Sequence, residues 1–327
     1  MKPSRIPYIN KLITAKPSFR VWGSFLILVA SYSFLSYKLL TFNQYHELAL
    51  QWKQMPISQF WWLASVFILL PLNWLLEAIK WKKLTAILEN ISIKTSYNAV
   101  LAGISTGFFT PNRVGEMVGR ILYLESDHRK AGVTLSLVNS LTQNLLITIV
   151  GIPACLIFFT FTTGTLEADI ADFILVMISF ALLFGLLYFA LPKLSKKIAG
   201  SIIGSKVGTY TDCLSSYKKS DLVVIMFISM LRFFVFATQF YLMLRFFGVQ
   251  LELWQALIAI PSSYLFVTFT PSVAFSEAAV RSSYAVLFIG AFSGQVVGIA
   301  LAGVCIWAVN FILPMLVGSV VMARSRG

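Results

Sequence analysis

The sequence predicts an all-α integral membrane protein with about six spanning helices and two re-entrant helical hairpins arranged as an inverted repeat. Of the 327 residues, 58% are hydrophobic and only 12% are charged, whereas a water-soluble domain carries roughly 25% charged residues. Apolar runs long enough to cross the hydrocarbon layer, which needs about 20 helical residues, recur along the chain. Two further apolar segments are interrupted near their middle by the dipeptide Thr-Pro.

The lysines and arginines between the apolar runs predict the direction of each span, because basic residues accumulate on the cytoplasmic side of a membrane. A basic arm at 1–20 precedes the first predicted span, 21–42, and is assigned to the cytoplasm. The same rule sends the later spans alternately inward and outward, so both termini are expected on the cytoplasmic side of a cell inner membrane. The later predicted spans are 60–79, 131–161, 173–191, 222–247 and 296–322.

These spans divide the chain into two membrane halves. The first half, 21–192, contains four spans and the predicted hairpin 96–123. A lysine-rich linker at 193–221, assigned to the cytoplasm, leads to the second half, 222–327, which contains two spans and the predicted hairpin 253–291.

The formal net charge of +13 indicates contact with anionic lipid rather than with nucleic acid, because most basic residues lie between apolar runs. Cys155, Cys213 and Cys305 are far apart and show no ligand spacing. His46 and His128 flank predicted spans on different sides of the membrane. The sequence therefore predicts no metal site and no cofactor.

One polar sequence motif occurs twice in this apolar chain. Residues 109–120 read FTPNRVGEMVGR and residues 269–281 read FTPSVAFSEAAVR. The first copy lies in a hairpin predicted to enter from the cytoplasm, and the second lies in a hairpin predicted to enter from outside. We therefore expect the two breaks to meet near the membrane midplane and to form a substrate site, as in transporters built from inverted repeats.

The residue types in the two breaks favour an anionic ligand. Thr110 and Thr270 are expected to cap the helices that follow them, and a proline suits the first turn of a helix. A helix N-terminus attracts anions, and guanidinium groups match the geometry of phosphate. The predicted headgroup-binding residues are Thr110, Pro111, Arg113, Gly115, Glu116, Arg120, Thr270, Pro271, Glu277 and Arg281.

Each copy also contains a glutamate four residues before an arginine, a spacing that places both on one helix face. Arg113 has no counterpart in the second copy. For either copy alone, an ordinary loop outside the membrane that caps a helix is the alternative interpretation.

Other polar residues inside predicted spans have two open interpretations, cavity lining or hydrogen bonding between helices. Those considered for cavity lining are Asn139, Gln143, Arg232 and Gln239. Glu77, near the inner end of its span, is interpreted as one half of an interfacial salt bridge to Lys80 or Lys83.

PNRVGEMVGR resembles the P-x-x-x-G-E-x-x-x-R pattern in the transmembrane domain of the lysylphosphatidylglycerol synthase/flippase family, and PSVAFSEAAV is similar to that family's later P-x-x-G-x-x-E segment. Ala274 stands where glycine is usual. The residues that match are Pro111, Gly115, Glu116, Arg120, Pro271 and Glu277. The resemblance implies a multi-pass domain that moves phospholipids or related lipids between leaflets. Aminoacylating members carry a further soluble domain after the membrane part, and since this chain ends at Gly327 we expect no lysine transfer from it.

The function predicted from the sequence is a flippase that binds the headgroup of an anionic phospholipid or a polyprenyl-phosphate lipid and moves it between leaflets. The sequence contains no nucleotide-binding or hydrolase motif, so catalysis is not expected. Two alternatives remain open. The chain is a membrane enzyme that acts on a lipid phosphate, or it is a non-transporting subunit that presents lipid to a separate synthase or glycosyltransferase.

Overall fold

The computed structural model describes residues 33, 37, 56–108, 110, 113–163, 168–199, 208, 210–272 and 274–324. This part of the chain is 87% helical and contains no strand. The basic arm 1–20 and the first predicted span, 21–42, lie almost wholly outside the described residues.

Ten α-helices follow one another along the described residues. Short 3₁₀ turns at Ile57–Gln59, Ser126–His128 and Asp212–Ser216 precede α1, α4 and α6, and a π-helical segment, Ala308–Ile312, joins α9 to α10. The helices are α1 (Phe60–Thr85), α2 (Ile93–Phe108), α3 (Gly115–Ile121), α4 (Arg129–Thr163), α5 (Ala168–Ala199), α6 (Lys219–Phe246), α7 (Leu253–Phe269), α8 (Ala274–Ile289), α9 (Val296–Trp307) and α10 (Leu313–Arg324).

Five helical stretches are long and apolar enough to cross a membrane. They coincide with the five spans predicted after the first, so the chain is a multi-pass membrane protein. Their bounds are Ile57–Thr85, Ser126–Thr162, Leu175–Ile198, Lys219–Phe246 and Val296–Arg324.

Helix α1 continues six residues beyond the predicted end of its span at residue 79. The side chain of Lys80, in this extension of the helix, is fully buried. Lys82 and Lys83 lie in the last turn of the helix, where cations interact favourably with the helix dipole. Lys83 also forms a 2.9 Å ion pair with Asp221 at the start of α6.

Each of the two predicted hairpin segments contains two helices separated by a break. In the first, the hydroxyl of Thr106 on α2 donates a 2.7 Å hydrogen bond to the carbonyl of Gly115 at the start of α3. Gly119 lies directly against the Ala102 carbonyl, and a Cβ atom there would overlap it. Glycine is needed at this position because the two helices approach backbone to backbone.

Two apolar cores hold the bundle together around these broken segments. One core packs α4 and α6 against α7, α8 and α9, with Phe158, Tyr264 and Phe288 among its aromatic residues. The other packs α1, α2 and α4 against the start of α6, with Trp81 fully buried in it. Tyr188 connects α5 to α6 in this second core, because its hydroxyl donates a 3.1 Å hydrogen bond to the carbonyl of Leu222.

Candidate functional site

A cavity of about 510 Å³ lies where the two broken segments meet. Its walls come from both copies of the repeated motif, from α1, α4 and α6, and from the π-helical segment. The predicted site residues that line it are Thr110, Arg113, Glu116, Arg120, Asn139, Gln143, Arg232, Thr270, Pro271, Glu277 and Arg281.

Two of the described site residues, Gly115 and Gln239, are not among those that line this cavity. A third predicted residue, Pro111, lies outside the described residues. Gly115 packs against the backbone of Thr106 instead of facing the cavity. Of the two interpretations open for Gln239, the structure shows hydrogen bonding between helices, because its amide nitrogen donates a 3.0 Å hydrogen bond to the Val66 carbonyl. Seven residues beyond Arg232, it is displaced about 10 Å along α6 and ties that helix to α1.

The two threonines of the repeated motif behave differently. Thr110 accepts a 2.8 Å hydrogen bond from the backbone N–H of Gly115, so it caps α3 as expected. The described contacts of Thr270 are of another kind. Its hydroxyl donates to the carbonyl of Phe266 at 2.8 Å and lies 3.0 Å from the hydroxyl of Tyr284.

Glu77 is the centre of a buried charge cluster beside the cavity. Its carboxylate binds Lys80 at 3.0 Å, Arg120 at 2.7 Å and Arg232 at 2.9 Å. Asn139 donates a further 2.7 Å hydrogen bond to the same group. The predicted pairing with Lys80 is therefore present, but its predicted place at the interface is wrong, because only 1% of Glu77 is exposed.

Glu116 continues this cluster into the first copy of the motif. Its carboxylate lies 3.2 Å from Arg120, the i,i+4 partner expected from the sequence. The other oxygen lies 3.8 Å from Arg113. Glu116 therefore connects the arginine held by Glu77 to the arginine at the tip of the break.

Glu277 joins the two copies of the motif. Arg113 donates from a single nitrogen to both of its carboxylate oxygens, at 2.9 and 2.7 Å. Arg281, the expected i,i+4 partner, binds the Oε1 atom through Nε at 3.1 Å and through Nη2 at 2.8 Å. Arg113, which has no equivalent in the second copy, is thus the residue that links the first copy to the second.

Aromatic rings cover the faces of the guanidinium groups. The guanidinium carbon of Arg113 lies 3.4 Å from the ring centroid of Phe311, and that of Arg281 lies 5.0 Å from the same centroid. Arg232 lies 4.9 Å from the ring of Phe236. Such contacts stabilise buried cations and leave the planar edges, which carry the N–H groups, for oxygen acceptors.

The charges that line the cavity do not balance. Among the described lining residues, the charged ones are four arginines and three glutamates, which leaves one positive charge in surplus. Lys80, behind Glu77, contributes a further positive charge without reaching the cavity wall. Arginine keeps its proton in proteins, so ionisation of the arginines does not remove the surplus.

Arg120 also has hydrogen-bond donors that lack an acceptor within the described residues. Only 3% of this residue is exposed, and its Nε and Nη1 atoms find no hydrogen-bond acceptor within the described part of the chain. An unsatisfied buried donor of a charged group is costly. The arrangement therefore suits a ligand that brings oxygen acceptors to this arginine.

Sequence reasoning missed the role of two residues on α1. Glu77 was read as an interfacial residue, and Asn73 was not considered. The side chain of Asn73 accepts a 2.9 Å hydrogen bond from Arg232 and donates one of 3.0 Å to Asn310 in the π-helical segment. The sequence contains a signal for both, because polar and ionisable residues inside a span mark functional positions.

A second polar cluster lies away from the cavity. The ligand atoms of Glu89, Glu125 and His128 lie within 4.8 Å of one another, and Nδ1 of His128 already contacts a Glu89 oxygen at 2.7 Å. Through this contact His128 holds the turn before α4 against the segment after α1.

Comparison with known proteins identifies the family. The family model described as the Lysylphosphatidylglycerol synthase TM region matches residues 21–318, which includes both copies of the repeated motif. No curated protein matches the chain, and no solved structure matches it. The match agrees with the resemblance of the two motif segments, and the chain belongs to the lysylphosphatidylglycerol synthase transmembrane-region family.

Proposed function

We propose that this protein is a lipid flippase that binds the anionic headgroup of a phospholipid or polyprenyl-phosphate lipid in the cavity and moves it between leaflets. The observation that carries the proposal is the positive surplus of four arginines over three glutamates at a cavity inside a membrane protein. A cation inside a bilayer is costly unless it is paired or hydrated. An anionic headgroup supplies the missing charge.

The arrangement of the arginines supports a phosphate as that group. Their flat faces rest on aromatic rings, and Arg120 keeps two buried N–H-bearing atoms without an acceptor. Phosphate oxygens accept hydrogen bonds from the edges of guanidinium groups, often two at a time. Each of the four lining arginines already has a carboxylate partner, so the ligand would share these arginines or displace a glutamate.

The position of the cavity supports movement of the headgroup. Both copies of the repeated motif contribute to its wall, and the Arg113–Glu277 pair connects them. We interpret the α2–α3 and α7–α8 pairs as two re-entrant hairpins of an inverted repeat, which open the site to one leaflet at a time. The basic segments between spans favour a cytoplasmic membrane location with both termini on the cytoplasmic side.

The ion pairs of the lining carboxylates favour a transport protein over an enzyme. A general base must be free to accept a proton from a reacting group. Each glutamate at the cavity, in contrast, is held by at least two arginines. Release of product from a labelled lipid phosphate by the purified protein would instead support an enzyme.

Leaflet exchange in proteoliposomes tests this proposal. Labelled phosphatidylglycerol is placed in one leaflet, and the initial rate of its appearance in the other is measured with and without protein. We expect faster exchange with the protein, and a loss of about tenfold or more in Arg281→Gln, which removes a charge-assisted contact. Arg324→Gln, at the exposed end of α10, is the control and should exchange normally. Exchange no faster than in protein-free vesicles across anionic lipids would exclude the function.

A further inference from the structure

We infer that Lys80 is a proton-binding site, and that a proton bound there crosses the membrane together with the lipid headgroup. This inference rests on the proposed function and adds the ion to which the transport is coupled. The proposed function itself requires only that a headgroup cross between leaflets, and it does not specify what accompanies the headgroup.

The amine of Lys80 is enclosed within the protein and lacks a hydrogen-bond acceptor. None of this residue is exposed. Its Nζ atom lies 3.0 Å from Oε2 of Glu77, but no atom of the described residues accepts a hydrogen bond from it. An ammonium group has three N–H donors, and a buried charged donor without an acceptor is costly. A neutral amine at this position removes the cost of the buried charge.

Glu77, the carboxylate that contacts Lys80, is shared with two arginines. Arg232 on α6 binds the same Oε2 atom at 2.9 Å, and Arg120 on α3 binds Oε1 at 2.7 Å. From α4, the neutral amide of Asn139 donates a further hydrogen bond to Oε1. One negative charge thus faces three cations, so it does not neutralise Lys80 alone.

Lys80 is the cation of this cluster that can release a proton. The other cations of the described site are the four arginines of the cavity wall, and arginine keeps its proton in proteins. Lysine, in contrast, changes its protonation state readily when it is buried. The amine is therefore better suited than the guanidinium groups to bind a proton in one step of a transport cycle and to release it in another.

The carboxylate of Glu77 connects Lys80 to the cavity. Glu77 belongs to the cavity wall, whereas Lys80 lies behind it. A proton that enters the cavity with water reaches the amine across the contact with Oε2 of Glu77. There it converts the neutral amine to an ammonium, and it leaves by the same carboxylate when the amine is restored. No other bond forms or breaks in this step.

Headgroup binding and proton binding strengthen each other. A monoanionic phosphate about 8 Å from Nζ, at an effective dielectric constant of about 20, increases the affinity of the amine for a proton roughly 30-fold. Linkage is reciprocal, so a bound proton strengthens headgroup binding by the same factor. With Lys80 neutral, the empty site carries one positive charge, and with Lys80 protonated and a monoanion bound it carries one again. Headgroup and proton are therefore expected to cross in the same direction.

The test measures how lipid distributes across a pH gradient. The full-length protein is reconstituted in phosphatidylcholine vesicles with a trace of labelled phosphatidylglycerol. Valinomycin and equal potassium concentrations on both sides hold the membrane potential at zero. With one proton per headgroup and a pH difference of about one unit, the label should become about tenfold enriched in the leaflet that faces the less acidic solution. The distribution is measured while protein-free vesicles still retain the label in its original leaflet.

The other outcomes separate the coupling from the flippase function. An even distribution, reached faster than in protein-free vesicles, overturns the coupling while the flippase function stands. No movement beyond that in protein-free vesicles overturns both. A sodium gradient at equal pH should leave the label evenly distributed, and enrichment driven by sodium would overturn the proton as the coupled ion.

Substitutions of Lys80 distinguish a proton carried by this residue from one carried by the lipid phosphate. Lys80→Arg keeps the charge but does not release a proton. Lys80→Met replaces the buried amine by an apolar side chain and should fold, because Glu77 keeps two arginine partners. Both variants should distribute the label evenly. Lys83→Arg, at a half-buried residue on the same helix, is the control and should retain the enrichment. Full enrichment with either Lys80 variant overturns the assignment.

Glu116 is the alternative proton carrier, because 21% of its side chain is exposed and one of its oxygens lies 3.8 Å from Arg113. Glu116→Gln should retain the enrichment in the lipid that it exchanges. Glu125→Gln, the same chemical change at an exposed residue, is its control. Loss of enrichment in Glu116→Gln together with full enrichment in Lys80→Met would assign the proton to the carboxylate and overturn the role of Lys80.

Discussion

Arg113 and Glu277, which are 164 positions apart in the sequence, form a bifurcated ion pair with N–O distances of 2.9 and 2.7 Å. The pair joins the two copies of the repeated motif at the cavity. Arg113 has a φ of 57°, in the left-handed region that non-glycine residues rarely adopt. The backbone at this tip is thus held in a strained conformation that presents the guanidinium to the other half of the chain.

Two substitutions of Arg113 distinguish the contribution of its backbone conformation to stability from the contribution of its charge to lipid exchange. Arg113→Gly and Arg113→Ala both remove the guanidinium, so both should lower lipid exchange. Glycine adopts a φ of 57° without strain, so the glycine variant should be more stable than the alanine variant by about 1 kcal/mol. Thermal unfolding in detergent measures the difference. An alanine variant as stable as the glycine variant would argue against a left-handed backbone at this tip.

Glu77→Gln should destabilise the protein more strongly than any other single change at the site. The substitution keeps the shape of the side chain but leaves Lys80, Arg120 and Arg232 without their shared counter-charge. Removing one partner from a buried ion cluster costs about 3–5 kcal/mol.

The unfolding midpoint and the yield of monodisperse protein report this loss. The control is again Glu125→Gln, which should unfold as the unaltered protein does. A Glu77→Gln protein of normal stability would show that the cluster is not the structural centre of α1, α3 and α6.

Gly119→Ala should weaken the packing of α2 against α3. Its Cβ would overlap the Ala102 carbonyl, a backbone atom that cannot turn aside. Overpacking of this kind costs typically about 1–3 kcal/mol. Gly185→Ala is the matched control, because nothing lies within 4 Å of a Cβ atom there, and alanine favours helix. Thermal unfolding of the two variants is the measurement, and equal midpoints would contradict the close approach.

Gln143 and Gln239 should respond differently to the same substitution. Gln143 lines the cavity, so Gln143→Leu should change the rate of lipid exchange. Gln239 bonds to Val66 between two helices, and Gln239→Leu should cost about 1 kcal/mol of stability with little effect on exchange per folded molecule. Exchange rates normalised to the amount of folded protein distinguish a cavity-lining residue from one that only connects two helices. If Gln239→Leu impaired exchange more than Gln143→Leu, the assignment of these residues would be reversed.

Local features of the sequence predicted most of the fold. Apolar length located the five described spans, because each span must satisfy its own backbone within lipid. Proline after threonine located the break in each hairpin segment. The end of α1 was not predictable in this way. Burial of Lys80 depends on Glu77, whose other partners, Arg120 and Arg232, lie on helices far away in the sequence.

In the site, too, contacts between residues close in the sequence were predictable, whereas contacts between distant residues were not. The pairs of Glu116 with Arg120 and of Glu277 with Arg281 follow from helical periodicity. The contact of Arg113 with Glu277 requires two chain segments to meet in space, and no spacing rule contains it. The contacts of Thr270 with Phe266 and Tyr284 likewise depend on how the chain packs and not on the Thr-Pro motif, which both copies share.

A structure of the protein in a lipid nanodisc enriched in phosphatidylglycerol tests the central claim most directly. The account predicts density for a lipid phosphate inside the cavity, with oxygens about 3 Å from nitrogens of the lining arginines, Arg113, Arg120, Arg232 and Arg281. A well-resolved cavity without phosphate density, with anionic lipid bound only on the outer surface of the bundle, would contradict it.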